Sequence, residues 1–368
     1  MTDAPTSAER GRCREVGGFS RPPRRLVPRA LLVLLAPGIL ALSPAAGLAA
    51  EDPAGEPSAL RLEGQAFGEE IVIEVLDLPR EEGEAALRRA FAAVERAAAL
   101  TDPSGSVPGG AGRINAAAGE GPHPVAPDLL PLLARTLSFC RWSEGAHGPL
   151  GGRLYRLWGL RRPAPSLPAE AALQEAVESA ACDRLALDPA AGTAELQAGS
   201  RLDLHGYALG YAVDQGTAAL RDAGAGNGRV RVGPVERAFG PGLAGRGWIV
   251  EPPHLPGLTS PLEPILLKDR ALAVAGLGRR LRAGGETYLP FVDQRRGRPA
   301  EGVVGVLAVA ELATDAQGLA TSLFITGSRR GQMLLGSLRP APAVLWALGS
   351  GEGTPLLTSY HWSLTRSP

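Results

Sequence analysis

Cysteine is scarce in this chain. Of 368 residues three are cysteine, and Cys13 lies ahead of an apolar N-terminal run. No Cys-x-x-Cys pair and no Cys/His cluster occurs, which argues against a structural zinc site. Aromatic residues are also few, with five Trp, five Tyr and seven Phe, so there is little ring surface on which to stack a planar ligand. Neither sign of charge is in excess. The 38 basic and 38 acidic side chains cancel, which argues against a nucleic-acid partner, because such proteins carry a basic footprint. Long hydrophobic runs are lacking too. The one strictly apolar stretch, from Ala30 to Leu42, contains Pro37 and is shorter than the ~20 residues a spanning helix needs.

What is present at the N-terminus reads as an export signal. Arg21, Arg24, Arg25 and Arg29 precede the apolar run, and small residues follow through Ala45, Ala46, Gly47, Leu48, Ala49 and Ala50. Cleavage after Ala49 or Ala50, just before Glu51, suits a small-residue processing site. Residues 1–50 are therefore expected to be a signal peptide, with an uncleaved membrane segment as the alternative. The mature protein is expected in the periplasm or bound to the envelope. No cysteine ends the run, which argues against a lipid anchor. In an oxidising compartment Cys140 and Cys182 have the opportunity to pair. Their helical, small-residue surroundings favour two buried free thiols instead.

Residues 51–368 show no repeat and no second-domain boundary. A β-branched run, Ile71 to Val75, reads as a strand. Leu87, Ala90, Phe91, Val94 and Ala98 recur at helical spacing and predict a helix over Glu81–Leu100, followed by a flexible loop over Gly105–Gly112. Further helices are expected over Pro127–Trp142, Ala169–Ala180 and 207–222. A hairpin is expected within Arg184–Leu202, and strands at Arg229–Val232, Val303–Ala310 and, last, Val344–Leu348. The helix around residue 320 should be capped by Thr314 or Asp315. The alternation of elements predicts one large α+β domain with mixed sheets and packed helices. The 48 Gly and 33 Pro predict many turns.

The chain is organised around Asp203-Leu-His-Gly-Tyr-Ala-Leu-Gly-Tyr-Ala-Val-Asp214. Gly206 and Gly210 stand one helical turn apart, so a ligand or another backbone can approach that face closely. The stretch resembles the signature of the FAD:protein FMN transferases (the ApbE family), which runs Asp-Leu-Gly-Gly-Ile-Ala-Lys-Gly-Tyr-Ala-Val-Asp. Here His205 stands in place of the first glycine and Leu209 in place of the lysine. Other blocks resemble the family in the same order. Arg113-Ile114-Asn115 fits a segment ending Leu-Asn. Gly145, Ala146, Pro149, Leu154, Leu157, Trp158 and Gly159 match a Gly-Ala-Phe-Asp-Pro-Thr…Leu-x-x-Leu-Trp-Gly block, with His147, Gly148 and Leu150 at its Phe, Asp and Thr. Gly233-Pro234-Val235 stands at a Gly-Gly-Asp, and Val274-Ala275 at a Thr-Ser. Tyr288, Asp293, Gly297 and Pro299 match a Tyr-x-His-Ile-x-Asp-Pro-x-Thr-Gly-x-Pro stretch, with Pro290 at its histidine. Ala316-Gln317-Gly-Leu-Ala-Thr321 matches a late helix whose second residue is Asp in the family.

The resemblance implies magnesium-dependent transfer of FMN from FAD to a Thr or Ser of a target protein, expected to be a redox protein. It places metal ligation on the Ala208 carbonyl, Gln317 and Thr321, and flavin-nucleotide contacts on Gly206, Gly210, Tyr211 and Asp293. Cleaving a pyrophosphate needs cations and metal to neutralise the phosphates. Gln offers a neutral oxygen where magnesium prefers a carboxylate, and Leu209 cannot replace an ammonium. His205 could supply a substitute cation, but a lone histidine on a glycine-adjacent turn reads first as a capped or packed residue, and His147 reads the same way. Arg295, Arg296 and Arg298 read as a solvated charge run. The pattern predicts a family member whose activity is weakened or lost. The alternative is a non-catalytic flavin- or protein-binding envelope module.

Overall fold

The structure, a computed structural model, describes residues 59–160, 167–278, 280–349 and 353–365. The expected signal segment lies outside them. At the centre is one eight-stranded sheet. Its strands are β1 (Leu60–Ala66), β2 (Glu69–Val75), β3 (Gly228–Val232), β4 (Val235–Phe239), β5 (Arg270–Ala275), β6 (Val303–Ala310), β7 (Ala343–Leu348) and β8 (Leu356–Tyr360). They lie side by side in chain order. The α+β class holds, and within the sheet every described pairing is antiparallel.

The long excursion between β2 and β3 supplies most of the helical layer. It contains α1 (Arg80–Thr101), α2 (Leu130–Trp142) and α3 (His205–Asp222), and α4 (Ala313–Leu335) follows β6. At the end of the stretch expected as loop (Gly105–Gly112), a short helix begins and runs over Ala111–Ala116. Its Asn115 amide donates to the Pro103 and Leu202 carbonyls and accepts the Leu202 N–H, so it fixes the chain just ahead of Asp203.

Alternation along the strands explains the layering. On β5, Ala271, Ala273 and Ala275 face the helices, while Leu272 and Val274 face the opposite side. On β6, Val306 and Ala308 face the helices and Leu307 and Val309 the opposite side. That opposite side is covered by a small ribbon, Trp248–Val250 paired with Ile265–Leu267. Strands buried on both faces read as continuous apolar runs, which is why Val303–Ala310 was legible. β8 was not expected after β7. Its side chains are largely exposed at the sheet edge, so it carries no apolar pattern. No helix among the described residues is long and apolar enough to cross a membrane.

Two connections correct the sequence reading. Cys140 and Cys182, expected as free thiols, form a disulfide that closes a separation of 42 residues between α2 and the turn at Cys182–Arg184. Helical surroundings at one partner do not prevent pairing once the fold brings the two Cα atoms to 6.0 Å. The second correction concerns the start of α4. Neither Thr314 nor Asp315 caps it. Asp214, from the middle of α3, accepts the Ala313 N–H at 2.9 Å, the Thr314 N–H at 2.9 Å and the Thr314 hydroxyl at 2.8 Å. The same carboxylate pairs with Arg237 of β4 at 2.7 Å. Asp315 instead forms a two-pronged pair with Arg135 of α2. A carboxylate at a helix N-terminus gains from both the free N–H groups and the helix dipole.

Replacing Asp214 with Ala should therefore uncap α4, leave the half-buried Arg237 without its partner and lower stability by about 3–5 kcal/mol in urea unfolding. A loss below about 1 kcal/mol would contradict that role. Reducing the disulfide, or the pair Cys140→Ser with Cys182→Ser, should cost about 2–4 kcal/mol through the released chain entropy. The check is the denaturant midpoint with and without reductant, at unchanged slope.

Candidate functional site

The N-terminal half of α3 and the middle of α4 face one another beside the open end of the sheet, and a cleft of about 440 Å³ lies there. Its walls are His205, Gly206 and Leu209 from α3, Gln317, Ala320, Thr321 and Ile325 from α4, Pro234 and Val235 at the β3–β4 turn, Val274 and Ala275 of β5, and Pro290 and Phe291. Phe291 stacks on Phe324 with ring centres 4.1 Å apart. Among the described lining residues the ionisable groups are Glu69, Tyr155 and His205.

The two signature glycines serve close packing. A Cβ on Gly210 would stand 2.3 Å from the Ala313 carbonyl oxygen, and one on Gly206 would stand 2.3 Å from Nε2 of His147. Of the two approaches the sequence left open, protein groups take both. At Gly210 the crossing of α3 over the start of α4 is tight enough for Gln317 to bridge it. The Gly210 N–H donates to Gln317 Oε1 at 2.8 Å, and Gln317 Nε2 donates to the His205 carbonyl at 3.1 Å. Both ends of the amide are thus engaged with α3 backbone.

Gly206, Gln317 and Thr321 line the cleft, and Ala208 lines an adjoining hollow together with His205 and Leu209. Gly210, Tyr211 and Asp293 are not among the cleft-lining residues. The Tyr211 hydroxyl donates to the Asp128 carbonyl at 2.8 Å, and its pKa is pushed up to about 12, first by burial and then by Asp128. Asp293 is buried and forks with Arg295, accepting its Nε at 2.9 Å and its Nη2 at 2.7 Å. Arg298 pairs with Glu170. The Asp293 loop is bound to the His147 block, since Gln294 donates from its backbone to the Ala146 carbonyl and from its amide to the Gly148 carbonyl. Trp158 Nε1 adds a bond to the Gly297 carbonyl at 2.7 Å.

The positions implied for the metal supply a backbone carbonyl, a hydroxyl and an amide oxygen that already accepts an N–H. They contribute no carboxylate, whereas protein-bound magnesium takes one or two. These residues do not fit magnesium. Among the described residues no group of three or more His, Cys, Asp and Glu is arranged to hold a metal ion.

Beneath the cleft lies a polar cluster that local sequence signals did not reveal. His147 Nδ1 is 3.0 Å from the Ser322 hydroxyl and 3.1 Å from the Tyr207 hydroxyl, and its ring stacks on Tyr207 at 4.6 Å. All three residues are buried. Burial, and secondarily the charge of His205, lowers the His147 pKa to about 3. Burial likewise holds the Tyr207 hydroxyl well above its ordinary range. The cluster is therefore neutral at neutral pH. Gly148 is also explained, because a Cβ there would meet Cys140 Sγ at 2.4 Å. The disulfide occupies the room a carboxylate would need.

Together these features define a single-domain α+β protein with a largely apolar cleft where two glycine-packed helices cross. The ApbE family model matches residues 67–346. An FAD:protein FMN transferase of Haemophilus influenzae is 27% identical over 216 residues, covering 56% of this chain and 62% of that protein. The chain thus spans less than two thirds of that relative. The FAD:protein FMN transferase of Chlamydia trachomatis is 28% identical over 225 residues, 59% of this chain and 69% of its own. The ApbE protein of Thermotoga maritima superposes with a TM-score of 0.76 at 21% identity, over 84% of this chain and 100% of that one. The apo flavinyl transferase ApbE of Pseudomonas stutzeri gives 0.73 at 20% identity, over 85% and 98%. The two structures share the fold, and the family match settles membership: the chain belongs to the ApbE family.

The buried histidine gives a pH test. A pKa lowered from 6.5 to about 3 means the unfolded chain takes up a proton that the folded one refuses. Its contribution is complete above pH 6.5 and is lost as pH falls toward 3, by up to about 1.4 kcal/mol per pH unit. His147→Phe should flatten the acid limb of a stability-versus-pH curve across that window. Parallel curves for the two proteins would refute the assignment.

Proposed function

We propose that this ApbE-family chain keeps the cleft as a flavin-binding site, while metal-dependent transfer of FMN from FAD to a target protein is weakened or lost. One observation carries this reading. Gln317 stands at the acidic position of the family's late helix, and its neutral amide is engaged at both ends with α3 backbone. Leu209, at the lysine position, adds an apolar side chain to the cleft wall and no charge to oppose a phosphate. The β3–β4 turn adds Pro234, which has no N–H to donate.

What the residues do instead is hold a shape. Gln317 and Asp214 lock α3 to α4, Phe291 and Ile325 give an apolar wall, and Thr321 contributes a hydroxyl. In this proposal the protein works in an oxidising envelope compartment, alone or beside a flavin-carrying redox protein. The basic, then apolar N-terminal stretch and the Cys140–Cys182 bridge support that setting.

The test is AMP release from FAD with magnesium and a Thr- or Ser-containing acceptor, assayed beside the Haemophilus influenzae relative. We expect this chain to be at least about 100-fold slower, since even residues behind a metal's direct ligands change activity ~10–100-fold. Joint Gln317→Asp and Leu209→Lys substitution should raise the rate. Comparable rates in the two unmodified proteins would overturn the proposal.

A further inference from the structure

A second cavity, of about 140 Å³, lies against the face of α4 opposite the cleft. Asp315 and Leu319 line it, whereas Gln317, Ala320 and Thr321 line the cleft, and the two share no lining residue. Its other walls are α2, the end of β6 at Ala310, Arg270 at the start of β5, and the loop over residues 338–342. From α2 it takes Arg135, Ser138, Phe139 and Trp142, whose three- and four-residue spacing puts them on one helical face. The interior is apolar and held in shape. Phe139 and Leu319 are buried. Phe139 and Trp142 meet edge to face with ring centres 5.8 Å apart, and Trp142 Nε1 donates to the Leu334 carbonyl at 3.2 Å. Pro340 and Pro342 stiffen the loop wall, because the proline ring fixes φ. A dry cavity of roughly 150 Å³ lined by aliphatic and aromatic side chains accepts a benzene ring. This one has room for a single six-membered ring and little more.

Positive charge is in excess around it. Three arginines, Arg135, Arg270 and Arg339, stand against two acids, Glu311 and Asp315. Arg135 and Asp315 answer one another through two hydrogen bonds, at 2.6 and 2.5 Å. Arg339 Nη1 donates to the Gly336 and Leu338 carbonyls at 3.0 and 2.6 Å, which holds the group without neutralising it. Neither Arg339 nor the half-buried Arg270 forms an ion pair with a described carboxylate. A guanidinium beside an apolar cavity is suited to a carboxylate, which it can meet with two parallel N–H groups.

We propose that this cavity is a binding site for a small aromatic monocarboxylate, its ring buried against Phe139, Trp142 and Leu319 and its carboxylate met by Arg339 and Arg270. An uncharged ring gains the same burial but leaves the arginine excess unanswered. An aromatic amine brings a like charge to the arginines, which is costly. The inference does not depend on what the cleft binds.

The experiment is calorimetric titration of the full chain with benzoate, benzyl alcohol and benzylamine, at low and at physiological ionic strength. Benzoate should bind one to one with a Kd of about 1 mM or lower, about tenfold more tightly than benzyl alcohol, and benzylamine more weakly than either. The gap between benzoate and benzyl alcohol should narrow as salt screens the arginines. Joint Arg270→Ala and Arg339→Ala substitution should remove the advantage of benzoate and leave benzyl alcohol unchanged, the neutral ligand reporting an intact cavity. Ser138→Trp, at an exposed position of α2 beside the cavity, should fill it and abolish binding of both. Benzoate and benzyl alcohol binding equally tightly, or no benzoate binding at all, would overturn the inference. So would benzoate binding that survives Ser138→Trp unchanged. Flavin titration and AMP release, measured separately, bear only on the cleft.

Discussion

The carboxylate of Asp214 joins three parts of the molecule. It caps α4, it belongs to α3, and it pairs with Arg237 on the central sheet. A helix entering the core must satisfy its first N–H groups, and Leu312, immediately before α4, has no side-chain acceptor to offer. A neighbouring helix therefore supplies it. Because the acceptor sits inside α3, the start of α4 is fixed against the middle of α3, and the absence of a Cβ at Gly210 lets the two backbones meet. The cleft is a consequence of this crossing. Its two helical walls are the residues either side of the junction.

The same junction determines what the cleft can do. Gln317 lies one turn into α4, close enough to reach back to Gly210 N–H and the His205 carbonyl. An amide suits this bridge because it both accepts and donates. A carboxylate could accept from Gly210 but could not donate to His205. The bridge that stiffens the crossing thus places a neutral amide at the position where the family resemblance has an acid. A parallel trade occurs behind the cleft, where the disulfide fills the space beside Gly148 and His147 forms a neutral cluster with Ser322 and Tyr207. Fold-supporting contacts occupy positions that the family resemblance associates with chemistry, and fold alone does not carry function.

Much of this protein was determined by the sequence itself. The apolar spacing on α1, the β-branched run of β2 and the apolar run of β6 follow from local periodicity, and they were legible because burial on a helix face or a two-sided strand leaves a pattern. The ordered motifs from Asn115 to Thr321 identified the family and the altered positions His205, Leu209 and Gln317. Tertiary structure alone decided the rest. Asp214 reads locally as the end of a helical motif, and its role as the cap of α4 depends on contacts about a hundred residues away. The Cys140–Cys182 pairing depends on a Cα distance that no spacing encodes. The edge strand β8 exposes its side chains and so leaves no apolar trace. His147, Tyr207 and Ser322 come together from three separate segments, and burial, helped by the charge of His205, keeps that histidine neutral. Periodicity records which face of an element is buried. The partner it is buried against is set by packing between distant segments.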